Sequence, residues 1–120
     1  MVLKWVISYL IGFVMRQLAT FQHSIDWTKV KTDLDVRLRA MIPGQILDNE
    51  AVLILNTALD EIAKMLASTD KLQAILNLLA AEKWVEAGQE LLTMLMEAVQ
   101  DATTPQHIAL KEVLAKVQLA

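Results

Sequence analysis

Polar or small side chains recur every four residues at the start of the chain. Lys4, Ser8, Gly12, Arg16 and Thr20 form one narrow stripe along a helix predicted from Val2 to about Gln22. The rest of that cylinder is apolar, carried by Trp5, Ile7, Leu10, Ile11, Phe13, Val14, Leu18 and Phe21. A helix with so wide an apolar surface is buried on most sides or lies in lipid. A narrower stripe follows, Trp27, Val30, Leu34, Leu38 and Met41, and predicts a second helix over 26–41 with Ser24 or Asp26 as its N-cap. Pro43-Gly44 ends it, because the residue before proline avoids helical angles and glycine tolerates the turn.

Asp48 is the expected cap of a third helix, with Glu50 in its first turn and Leu47 and Val52 at the spacing of a hydrophobic staple. This helix should run to about Ala67 and bury Ala51, Ile54, Leu55, Ala58, Leu59, Ile62 and Leu66, leaving Leu53 on the polar side. Ser68-Thr69-Asp70 stops it and caps a fourth helix over about 71–81, with Leu72, Ile75, Leu76 and Leu79 inward. The fifth, over about 84–101, divides cleanly. Glu86, Gln89, Glu90, Thr93, Glu97, Gln100 and Asp101 fill one arc, and Trp84, Gly88, Leu91, Leu92, Leu95 and Val99 the other. Thr104-Pro105 opens a sixth helix in the cap-then-proline order, running to about Gln118 on Leu110, Val113, Leu114 and Val117.

Connections of about two to six residues suit helices packed side by side. The expected fold is therefore all-α: a compact single-domain bundle of about six short helices, with residues 1–120 as one domain. Composition strengthens this. Three glycines and two prolines in 120 residues leave few of the breaks a β fold needs. The absence of cysteine excludes disulfides and thiolate metal sites and fits a reducing, cytoplasmic setting.

Two features point outward. Hydrophobic residues are 55% of the chain and mean hydropathy is +0.40, more than a small domain's own core requires, so some apolar surface is expected to meet a second copy, a protein partner or lipid. Charge is also uneven. Residues 1–45 hold six basic and three acidic side chains, and residues 46–120 hold five and eleven. Lys29, Lys31, Arg37 and Arg39 form a candidate basic surface on the second helix.

The first helix raises the membrane question. Its charge-free run, Trp5 to Met15, is 11 residues, roughly 16 Å at ~1.5 Å per residue, against a bilayer core of about 30 Å. Crossing would require carrying Arg16 inward, at a cost comparable with the gain from the apolar residues. No small-residue cleavage pair follows, so a signal peptide is not expected. Burial in the bundle or an interface is the leading expectation, with a membrane anchor or in-plane helix over residues 2–22 as the alternative.

Chemistry is sparse. His107 has no second histidine or carboxylate at i+3 or i+4 and His23 has only Asp26 at i+3, too few ligands in either place, so no metal site is expected. Glu86, Glu90, Glu97 and Asp101 lie on an outward face, where nothing shifts a carboxylate towards catalysis. No glycine-rich phosphate loop or nucleophile arrangement is legible, and no cofactor is implied. The basic residues of the second helix alternate with Asp33 and Asp35, which argues against nucleic acid.

The expectation is thus a non-enzymatic interaction module, a homo-oligomer or a protein-partner adaptor, working through apolar helix surface. Candidate interface residues are Trp5, Ser8, Gly12, Phe13, Leu53, Met94 and Met96. Core packing is the default for Trp5, Trp27 and Trp84, with anchoring the alternative. A carrier of an apolar small molecule would instead need a cavity lined by residues such as Phe13, Leu55 and Leu95.

Overall fold

The computed structural model describes residues 2–21, 24–41, 49–101 and 103–117, with backbone alone at 2–4, 41 and 49–50. Six helices follow in order: α1 (Val2–Phe21), α2 (Trp27–Met41), α3 (Asn49–Leu66), α4 (Thr69–Ala80), α5 (Trp84–Ala98) and α6 (Pro105–Leu114). No strand occurs among the described residues. The fold is the expected all-α bundle.

Capping chemistry sets several boundaries. Of the two candidate caps of α2, Asp26 does the work: its carboxylate accepts from the backbone N–H of Thr28 at 3.1 Å and of Lys29 at 3.3 Å. Thr104 caps α6 as expected, accepting from His107 N–H at 3.3 Å with Pro105 in the first turn. α4 begins at Thr69, two residues earlier than the pattern predicts, and α5 and α6 end three to four residues sooner. The Pro43-Gly44 break, the Asp48 cap, the Leu47 half of the staple, His23 and Gln118 lie outside the described residues.

The turn from α4 to α5 is a Schellman motif. Lys83 N–H bonds Leu78 O at 2.9 Å, and Glu82 N–H bonds Leu79 O at 3.0 Å. Glu82 occupies the left-handed position of that motif at φ 60°, where glycine is the unstrained choice.

α1 is the hub. It packs against each of the other five helices. Val6, Ile7, Leu10, Ile11, Val14 and Leu18 are fully buried, and Phe13 is 2% exposed. A helix surrounded on so many sides must be apolar over most of its circumference, which accounts for much of the chain's high hydropathy without any lipid or partner. No helix is long and apolar enough to cross a membrane among the described residues.

The outward stripe of α1 differs from the expectation in one important residue. Ser8, Gly12, Arg16 and Thr20 do lie on it, but Trp5 lies there too, 50% exposed. Trp5, Tyr9, Gly12 and Arg16 stand at i, i+4, i+7 and i+11, a single helical row. Core packing therefore fails for Trp5. It fails also for Trp84, the first residue of α5, which is 41% exposed. Trp27 alone is partly buried against the core.

Candidate functional site

Along the outward edge between α1 and α2, aromatic rings and guanidinium groups interleave. Trp5 and Tyr9 stack at 6.0 Å between centroids, and Tyr9 and Phe13 at 6.4 Å. The i, i+4 spacing of three aromatic residues produces this ladder, since each helical side chain leans over the one a turn earlier. Arg16 lies over the Tyr9 ring at 5.8 Å, and Arg37 of α2 lies over Phe13 at 5.4 Å. Arg37 thus roofs a ring that the core otherwise encloses. Neither arginine has a carboxylate partner within ion-pairing distance among the described residues.

A separate open groove of about 260 Å³ lies between the end of α1 and the start of α2. Gln17, Phe21, Lys29 and Asp33 border it, and Phe21 is 47% exposed. From Trp5 to Arg16 the seam is roughly 16 Å long at ~1.5 Å per residue.

The other candidate residues are scattered around it. Ser8 and Gly12 lie on the half-exposed flank of α1. A Cβ added at Gly12 would meet nothing within 4 Å, so packing within the chain does not require a glycine there. Leu53 is 51% exposed on α3, as its polar-side position implies. Met94 is a core residue while Met96 is exposed, because residues two apart on a helix do not share a face. They line no common groove. The basic residues likewise divide: Lys31 pairs with Asp60 of α3, Arg39 Nε bonds Asp35 Oδ2 at 3.0 Å, Lys29 is exposed, and Arg37 alone joins the seam.

A second polar cluster was not legible in the sequence. Glu61 of α3, with 12% of its side chain exposed, holds His107 Nε2 at 3.0 Å across to α6. The Thr104 hydroxyl bonds His107 Nδ1 on the other side of the ring. One tautomer satisfies all three: Thr104 O–H donates to Nδ1 and Nε2–H donates to Glu61. Lys64 Nζ lies 3.4 Å from the same carboxylate. Forty-six residues separate Glu61 from His107, so no local spacing signals the pair.

Hydroxyl, imidazole and carboxylate in series are the parts of a nucleophilic relay. Here the hydroxyl already accepts the His107 backbone N–H as the cap of α6. None of the three residues borders the grooves at α1–α2 or α1–α4. The arrangement ties α6 to α3. No group of three or more candidate metal ligands is present among the described residues.

A further recess is also a surface groove. It measures about 280 Å³ and runs between α1 and α4, bordered by Leu18, Ala19, Leu76, Leu79 and the hydrogen-bonded pair Gln73 and Asn77. Neither it nor the α1–α2 groove touches Phe13, Leu55 or Leu95. Leu55 borders a recess of about 10 Å³, room for one water at most. Compared with known proteins, the chain matches no family model, no curated protein and no solved structure.

Proposed function

We propose that this chain is a non-enzymatic interaction module that docks a helix of a protein partner along the α1–α2 seam. The observation that carries the reading is a half-exposed Trp5 stacked on Tyr9 beside Arg16 and Arg37, two guanidinium groups without carboxylate partners among the described residues. Tryptophan, tyrosine and arginine are the residue types that dominate binding energy at protein interfaces. Stacking on the rings holds each guanidinium in place, so little side-chain entropy is lost when a carboxylate arrives. The partner this surface fits is an amphipathic helix with an apolar row to cover the rings and an acidic row to meet the forks.

Membrane insertion of α1 fits less well, because it would strip Val6, Leu10, Val14 and Leu18 out of a filled core. An apolar-ligand carrier also fits less well, because the Phe13 and Leu95 side chains are buried within the packed core.

The test is an NMR titration of the full chain with a synthetic amphipathic peptide bearing leucine and glutamate rows at helical spacing. Amide shifts should concentrate on residues 5–21 and 27–40, and Trp5→Ala or Arg37→Ala should weaken binding about tenfold. Shifts centred elsewhere, or no binding with sedimentation onto anionic vesicles instead, would remove the docking reading.

A further inference from the structure

We infer that the helix accepted by the seam is α5 of a second copy of this chain; this rests on the docking reading above. The exposed side of α5 supplies both rows the seam requires. Val85, Leu92 and Met96 stand at i, i+7 and i+11 on one edge, with Val85 45% and Met96 41% exposed and Leu92 partly so. Beside them Glu86, Glu90 and Glu97 form an acidic row at i, i+4 and i+11, all exposed. None of these carboxylates has a cationic partner among the described residues.

Charge complementarity selects the second copy. α1 contains no acidic residue and α5 contains no basic one; Arg16 stands on α1 and Arg37 on the adjoining α2, while Glu86, Glu90 and Glu97 stand on α5. Lys31 and Arg39 are by contrast already paired within the chain, with Asp60 and Asp35. An α5 ridge from Val85 to Met96 is roughly 16 Å long at ~1.5 Å per residue, which matches the row from Trp5 to Arg16. Trp5 and Tyr9 then cover the Val85–Leu92–Met96 edge, and Arg16 and Arg37 reach the glutamates as charge-assisted, fork-like pairs.

Charge reversal and complementation in the full chain test this. One variant carries Arg16→Glu and Arg37→Glu, the other Glu86→Arg and Glu90→Arg. All four side chains are exposed, so circular dichroism and melting should show both variants folded. In sedimentation velocity at low salt, the wild-type chain should associate as concentration rises. Each variant alone should associate at least tenfold more weakly, and an equimolar mixture of the two should recover the wild-type behaviour, because each then supplies the charge the other lacks. Wild-type association unchanged in both variants would overturn the inference by placing the contact elsewhere. A wild-type chain that stays monomeric at every concentration, yet binds the acidic peptide at its seam, would overturn the second copy and leave the docking reading standing. Failure of both binding events would remove the two together.

Discussion

Two single residues test how this chain distributes strain and space. Glu82 holds a left-handed conformation that costs an L-residue roughly 1 kcal/mol, and its motif needs only backbone hydrogen bonds from that position. Glu82→Gly should therefore raise stability by about 1 kcal/mol in urea unfolding; a loss instead would mean that the Glu82 side chain holds the turn. Gly12 sits mid-helix with open space around the missing side chain. Gly12→Ala should stabilise the monomer by about 0.5–1 kcal/mol through helix propensity alone. If a partner helix approaches closely over that flank, the same methyl group weakens association, so stability and binding should move in opposite directions. A variant destabilised on its own would show that the glycine serves internal packing.

At the scale of elements, periodicity carried most of the information. The 3.6-residue rhythm located all six helices, and the inward sets of α3, α4 and α6 were readable because each has one buried face. α1 was harder for a physical reason. A hub helix is apolar nearly all round, so pattern alone does not say which apolar residues face out, and it assigns Trp5 to the core although Trp5 shares a row with Arg16. The Glu61–His107 tie was invisible because it depends on how α3 and α6 come together, not on neighbours in sequence. The contrast within α1 is measurable. Leu10→Ala removes a fully buried side chain from the hub and should cost about 3 kcal/mol in unfolding. Trp5→Ala, one and a half turns away, should cost about 1 kcal/mol, mostly its stacking on Tyr9. Equal losses from both would place Trp5 in the core's energetics rather than on a working surface. His107→Ala should cost about 1–2 kcal/mol, since it leaves the Glu61 carboxylate without its cross-helix partner; no loss would mean that α6 is held by its apolar face alone.

Over the whole molecule the charge asymmetry seen along the sequence acquires a location. The basic excess of residues 1–45 includes two arginines set over the aromatic ladder, and the acidic excess of residues 46–120 includes three glutamates on the exposed face of α5. Sequence could show the imbalance but not that the rings and the two arginines share one surface. That juxtaposition makes salt a discriminating variable. An interface held only by apolar burial is insensitive to sodium chloride and strengthens in sodium sulfate. One in which arginine forks meet glutamates at a solvated rim weakens as the Debye length falls from about 10 Å at 0.1 M salt to about 3 Å at 1 M. Self-association of this chain, followed by sedimentation over that range of sodium chloride, should weaken about tenfold, mainly through slower encounter of the oppositely charged surfaces. The Arg16→Glu, Arg37→Glu variant should show the opposite slope, because screening then relieves repulsion between its glutamates and those of α5. Association that ignores salt in both proteins would mean that the aromatic rings act without the charges around them, and the pairing of seam with ridge would lose its selectivity.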